Sequence, residues 1–258
     1  MSGRKLLRAV LFLLFSAPVL AQPQPQVIKP GVPSGPANRL PALTVHLVSE
    51  ESPFVYAQGG KVAGPATDIL ERVMEDAGIA AYDFKIYPWA RAYDLALKQP
   101  NVLIYLIART PEREARFKWV GELTRLDIDF YRLKSRPEIQ LRSLAEARQY
   151  KVGVVRDDVR HQYLSLQGFN KLLVESRLAD NLRQLLGGRV DLVALTEADY
   201  VNLCKHEFAE CAQLERVYRL EDLSTSLQAA FSVSTPDEVV ERVRQSFDKL
   251  KARGKIKL

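Results

Sequence analysis

The chain has 258 residues, with 37 Lys and Arg against 31 Asp and Glu, and 47% of its residues are hydrophobic. The net charge of +6 is modest, and no basic stripe interleaved with aromatic residues runs along the sequence, so nucleic acid is not an expected partner. Only two cysteines and three histidines are present, which leaves little material for a metal centre.

The N-terminus carries Arg4, Lys5 and Arg8, an apolar run from Ala9 to Leu20, and small residues ending in Ala21 before Gln22. This is the pattern of a secretory signal peptide over residues 1–21, and it directs the mature chain to the periplasm. The run falls short of the about 20 apolar residues that a spanning helix needs. An uncleaved anchor is the alternative, and no cysteine near the cleavage point calls for a lipid anchor. Loss of the three cations lowers the net charge from +6 to +3. Residues 22–41 are rich in Pro and Gln and read as a tether without packed structure. The remaining stretch of roughly 215 residues can form one large or two modest domains.

From Leu43 the chain alternates between strand and helix patterns. Leu43, Val45 and Leu47 mark a first strand, followed by a loop from Ser49 to Tyr56 and a turn at Gly59-Gly60. Ile69, Leu70, Val73, Met74 and Ala77 fall at helical spacing over residues 68–78, and Gly78 can cap the helix. A strand follows over residues 82–87, then a helix after Trp89 with Ala92, Leu95 and Ala96 inward. Residues 102–107 are a buried strand, and Thr110-Pro111-Glu112-Arg113 opens a helix, with Thr110 as N-cap and Pro111 at the first position. The alternation predicts a parallel sheet with helices on both faces. At its C-terminal edge, a positive helix terminus flanked by Arg109 and Arg113 suits a small anionic ligand; an ordinary turn with two solvated arginines is the competing reading. Trp89 and Arg91 lie at the same edge, where they can stack on a ligand and fork a carboxylate, unless Trp89 belongs to the core.

Further on, residues 143–148 read as a short helix, 151–155 and 171–174 as strands, 178–186 as a helix ending at Gly187-Gly188, and 190–195 as a strand. A strand at 215–220 and an amphipathic helix over 237–253 complete the chain. Cys204 and Cys211 form a pair suited to a disulfide in an oxidising compartment, provided the helix carrying Cys204 ends between them, near His206. Neither His46 nor His161 has a neighbour in sequence that suggests activation, and no nucleophile elbow, zinc motif, phosphate loop or dinucleotide fingerprint is present. No cofactor is expected.

The segment Arg109-Thr110-Pro111-Glu112-Arg113, followed by Phe117-Lys118-Trp119-Val120-Gly121, resembles the bacterial extracellular solute-binding protein family 3. These are type II periplasmic binding proteins, best known as amino-acid receptors of ABC importers. The segment from Asn181 to Asp191 resembles the family's second-lobe pattern, and the likeness runs from about Leu43 to near the C-terminus. It implies an α/β fold of two lobes, each a mainly parallel sheet flanked by helices, joined by two crossover hinge segments. Lobe one takes residues 42–126 and 222–258; lobe two takes residues 127–221.

The resemblance also implies a function. The chain is expected to capture a small anionic or zwitterionic, amino-acid-like solute by hinge closure, as a monomer, and to present it to an ABC-type permease. A separate membrane sensor is the alternative partner, and a dehydratase-like enzyme on the same fold is a more distant one. Arg113 takes the position of the arginine that grips a carboxylate, and Glu50, Phe54 and Tyr56 lie on a loop that lines the cleft. Where the family has a Gly-Thr or Gly-Ser pair after the first strand of its second lobe, this sequence has Arg156-Asp157-Asp158-Val159, and Thr196 occupies the place of the family's ammonium-binding aspartate. Asp158, Glu197 or Glu50 can supply the missing negative charge from another direction; otherwise the solute is not a standard α-amino acid. Tyr105 stands where the family often has serine, which suits a flat or ring-bearing ligand. Because Arg113 is expected at a cleft edge, Arg113→Ala is expected to abolish carboxylate binding at near-normal stability.

Overall fold

Strand–helix alternation of this kind buries apolar strands between two helical layers, and the chain does so twice. The computed structural model describes residues 43–206 and 208–258; the signal peptide and the tether lie outside the described residues. The first half contains β1 (Val45–Ser49), β2 (Tyr56–Gln58), β3 (Lys61–Ala63), α1 (Pro65–Asp76), β4 (Tyr82–Ile86), α2 (Trp89–Lys98), β5 (Val102–Ala108), α3 (Pro111–Glu114) and β6 (Phe117–Leu126). The second contains β7 (Ile128–Leu133), α4 (Leu144–Ala147), β8 (Val152–Val155), α5 (Val159–Leu166), β9 (Leu172–Glu175), α6 (Leu178–Leu186), β10 (Leu192–Thr196), α7 (Glu197–His206) and β11 (Leu214–Arg219). The chain then returns through β12 (Thr225–Ser232) and ends in α8 (Asp237–Ala252).

One five-stranded sheet has the order β4-β1-β5-β12-β6, the other β11-β7-β10-β8-β9. The pairs β4-β1-β5 and β10-β8-β9 are parallel, as helical crossovers require. The antiparallel pairs come from the strands that carry the chain between lobes. β6 leaves the first sheet beside the returning β12, and β7 enters the second beside the departing β11. Asp127 alone separates β6 from β7, and residues 220–224 join β11 to β12. The two crossings therefore run side by side between the lobes.

Helices cover both faces of each sheet. In lobe one, α1 and α8 bury Ile69, Leu70, Val73, Val243 and Phe247 against β1, β5 and β12, while α2 buries Ala92, Tyr93 and Ala96 on the opposite face. The Gly121 that closes the aromatic run has a packing role: a Cβ there would sit 2.2 Å from the Phe247 ring. In lobe two, Val159 and Leu164 of α5 pack on one face, and Leu182 and Leu185 of α6 on the other.

Local differences from the sequence expectations have simple causes. Helix α1 begins at Pro65, a residue that fits a first helical turn because its missing N–H has no intrahelical partner there. Helix α3 is only four residues long, and its Thr110 makes no side-chain cap bond. The Ser49–Tyr56 segment is pinned by a bridge between Ser52 and Val55 and leads into a β2-β3 hairpin, whose Gly59-Gly60 turn uses positive φ at both positions. Helix α7 ends at His206, which brings the Cα atoms of Cys204 and Cys211 within 5.4 Å in a disulfide.

The Gly121–Phe247 contact yields a direct test. Gly121→Ala should destabilise the protein by about 1–3 kcal/mol, because the ring of α8 has to move off the sheet. Urea denaturation monitored by circular dichroism measures it.

Candidate functional site

The C-terminal ends of β1 and β5 in lobe one face the β8–α5 and β10–α7 turns of lobe two across a cavity of about 260 Å³. Two non-glycine residues in the left-handed region shape its walls. Leu106 (φ 60) is the extra residue of a bulge between β5 and β12, and its side chain lines the cavity. Such a bulge re-aims a side chain at some cost in backbone strain. Asp157 (φ 59) turns its carbonyl toward lobe one. There it accepts from Trp89 Nε1 at 2.9 Å, Gln162 Nε2 at 3.1 Å and Arg113 Nη2 at 3.3 Å. Its amide donates to His161 Nδ1 at 3.1 Å, which holds the turn from the other side.

Arg113 is only 1% exposed and reaches from lobe one into lobe two. Its Nε and Nη2 both donate to Gln162 Oε1, at 3.2 and 3.0 Å, and its Nη1 donates to the Ala108 carbonyl at 3.2 Å. Its guanidinium carbon lies 5.0 Å from the Tyr93 ring centre and 5.6 Å from that of Trp89. All its direct partners are neutral. Of the buried arginines among the described residues, Arg132 is paired with Glu215 at 2.7 Å and Arg160 with Asp158 at 2.6 Å, whereas Arg113 has no carboxylate in ion-pair range. Desolvation lowers its pKa, offset only in part by Tyr93 and Asp158.

Asp158 caps α5 by accepting from the Arg160 amide, and it also accepts from the Arg160 guanidinium through both carboxylate oxygens. Burial alone would raise its pKa, but Arg160 outweighs that and holds it below the ordinary value. Arg160 donates in addition to Asp199 at 3.3 Å. Asp199 in turn accepts from the Thr196 amide while its own amide donates to Thr196 Oγ1, a reciprocal cap that opens α7. Glu50 adjoins this cluster. Desolvation, with repulsion from Asp158 and Asp199 exceeding the opposing pull of Arg160, raises it to about 8.

The cavity brings together Arg113, Trp89, Glu50, Phe54, Asp158, Thr196 and Glu197 from the sequence-based candidates. Tyr56 lines a second cavity of about 700 Å³ that shares Glu50, Arg160 and Asp199 with the first. The other three lie elsewhere. Tyr105 is fully buried in the lobe-one core, bonded to Thr67, and burial pushes its hydroxyl up to about 12. Arg91 sits over the Tyr87 ring, and Arg109 pairs with Glu114 and covers Trp119. Arg113 itself is interior, so the expected cleft-edge position of this residue is corrected. Sequence reading passed over Asp129, which is 2% exposed and held by Arg219 at 3.0 Å, as well as Arg160, Asp199 and Gln162. For Asp199 a signal was available: Thr196 followed three residues later by an acid is a capping-box pattern.

No family model and no curated protein sequence matches the chain. Its fold is similar to that of several solved structures. A histidine kinase sensor domain with similarity to periplasmic binding proteins has a TM-score of 0.73 at 19% identity, over 83% of this chain and 92% of that one. The arginine-, lysine-, histidine-binding protein ArtJ from Geobacillus stearothermophilus gives 0.69 at 18%, over 83% and 92%. An amino acid ABC transporter substrate-binding protein from Streptococcus pneumoniae, bound to L-arginine, gives 0.67 at 18%, over 83% and 90%. These likenesses establish the two-lobe periplasmic-binding-protein fold.

Two outcomes follow from the geometry. Arg113→Ala should cost about 2–3 kcal/mol in chemical denaturation, because it opens a void beside Trp89 and Tyr93; Arg113→Met, which fills that space without a charge, should stay within about 1 kcal/mol of wild type. Glu50 holds a proton in the folded protein that the unfolded chain has already released between its ordinary value of 4.5 and about 8. Its contribution to stability is therefore complete below that window and fades as pH rises through it. Relative to wild type, the melting temperature of Glu50→Gln should climb from pH 5 to pH 8; a constant difference in thermal denaturation would contradict this.

Proposed function

We propose that the chain is a periplasmic receptor whose lobes close on a small carboxylate-bearing, amino-acid-like solute and present it to the permease of an ABC importer. The observation that carries this reading is Arg113, a desolvated cation on a cavity wall whose direct partners are all neutral. A buried charge without an opposite charge is costly, and a solute carboxylate is the partner that removes the cost. A guanidinium fork matches it in shape and stays charged at any physiological pH. Closure follows from the same geometry. Arg113 and Trp89 of lobe one bond Asp157 and Gln162 of lobe two, so a solute on Arg113 contacts the elements that join the lobes. The signal-peptide pattern and the likeness to solved amino-acid-binding proteins agree with it. The likeness to a sensor domain favours, as a second reading, a separate membrane sensor as the recipient of the closed form.

A dehydratase-like activity competes on one point, since a protonated Glu50 meets a condition for a general acid. The receptor reading is preferred because the adjoining carboxylates, Asp158 and Asp199, are both tied to Arg160 and neither is free to act as a base.

A thermal-shift screen of the protein from Gln22 onward, against amino acids, opines, polyamines and aromatic and dicarboxylic acids, tests the proposal. A carboxylate-bearing solute at a hundred times its Kd should add about 2.7 kcal/mol of stability. Arg113→Met should abolish that shift, and mass spectrometry should recover the solute unchanged. A shift that survives in Arg113→Met contradicts the assignment of Arg113, and conversion of the solute contradicts the receptor reading.

A further inference from the structure

The guanidinium that suits a solute carboxylate is already forked, and by an uncharged group from the facing lobe. Gln162 on α5 sets one oxygen against two donors of Arg113: its Oε1 accepts from Nε at 3.2 Å and from Nη2 at 3.0 Å. That is the edge a carboxylate takes when it meets an arginine side-on. The carboxamide is oriented from its other end, where Nε2 donates to the Asp157 carbonyl at 3.1 Å. The left-handed turn at Asp157 and the bond from Trp89 Nε1 hold that carbonyl in place, so the Gln162 oxygen faces Arg113. A carboxylate fork on arginine takes Nη2 together with either Nε or Nη1. Nη2 is engaged twice from lobe two, by Gln162 and by the Asp157 carbonyl, and Nη1 donates to Ala108. Two-bond capture of a solute and the full set of present bonds are therefore mutually exclusive. The two partners also differ in what separation costs them. Gln162 is half-buried and its oxygen reaches water by swinging aside, whereas Arg113 is buried and has no such outlet.

We infer that Gln162 is a built-in stand-in for the solute carboxylate, a neutral partner that the solute displaces from Arg113 and that thereby sets the receptor's affinity. This rests on the receptor reading and adds to it the residue that regulates the site. An amide oxygen gives the guanidinium two bonds but no opposite charge, so it lowers the cost of the buried cation without removing it. A carboxylate forms charge-assisted bonds at the same edge, which are stronger than those of a neutral oxygen, and it displaces the amide. Molecules in which Gln162 holds Arg113 are closed to the solute. The apparent affinity falls to the fraction in which that edge is free. The bond joins α3 of lobe one to α5 of lobe two, so its exchange for solute also registers the arrival of solute on both lobes.

The test compares wild type, Gln162→Ala and Gln162→Glu, each as the mature protein, by isothermal titration calorimetry with L-arginine, L-glutamate and succinate. Gln162→Ala should bind at least one of them roughly tenfold more tightly than wild type, the contribution of one bond to a charged group. Damage to the fold weakens binding, so a gain in affinity separates this role from a merely structural one. Gln162→Glu supplies Arg113 with a permanent carboxylate and should bind none of the probes that wild type binds. A second readout needs no solute: the Arg113 Nε–H resonance in NMR spectra should exchange with water roughly tenfold faster in Gln162→Ala and stay protected in Gln162→Glu. Equal or weaker binding by Gln162→Ala, undiminished binding by Gln162→Glu, or unchanged exchange overturns the role of Gln162 and leaves the carboxylate receptor standing. Binding of none of the three probes by either wild type or Gln162→Ala overturns it as well, while the wider thermal-shift screen decides the receptor reading separately.

Discussion

A buried guanidinium held by carbonyls, an amide side chain and two aromatic rings is the constraint on which the rest of this structure depends. Proteins remove charges from water only where something compensates, and here the compensation is incomplete. Arg113 lies in α3, just beyond β5, a strand that is buried along its whole length and anchors the segment that carries it. Its guanidinium lies beside the stacked rings of Trp89 and Tyr93 of α2 and donates to Gln162 and the Asp157 carbonyl. One residue thereby ties the state of the cavity to contact between the lobes. Val155 of β8 joins the same apolar cluster as Val48 and Trp89, so contact between the lobes also buries hydrophobic surface.

The departures from the pattern of the family that the sequence resembles acquire physical meaning in this setting. Asp157 holds a left-handed conformation that glycine adopts more readily, and the strain places its carbonyl under three donors. Asp158 is a helix cap and the carboxylate partner of Arg160. Thr196 offers no charge, yet its capping partner Asp199 brings one back into the same cavity. Negative charge in the cavity is thus carried by Asp158 and Asp199, both tied to Arg160, while the neighbouring Glu50 holds a proton.

The fold was legible in the sequence because it depends on pattern. The alternation of apolar strands with amphipathic helices, the Thr110–Arg113 helix start and the spacing of the cysteines each state a local rule that the structure obeys or adjusts by a few residues. The site was legible only in part. Trp89, Arg113 and Glu50 were nominated by their place at strand ends, and they do meet. Tyr105 and Leu106 show why the rest was not accessible: both pack in the lobe-one core, only Leu106, at the bulge, also lines the cavity, and no local signal marks that bulge. Asp129 and Arg160 escaped notice because their importance lies in long-range pairing. Asp129 meets Arg219 across 90 positions of sequence, and Arg160 meets Asp199 across 39.

The most direct measurement is a crystal structure of the protein with whichever solute stabilises it. The solute carboxylate should lie within about 3.2 Å of the Arg113 guanidinium, with Gln162 turned away from at least one of its present bonds. A solute lodged elsewhere in the cleft, with the bonds from Arg113 to Gln162 and Asp157 intact, would contradict the account: Arg113 would then be a structural tie between lobes and not the residue that receives the ligand.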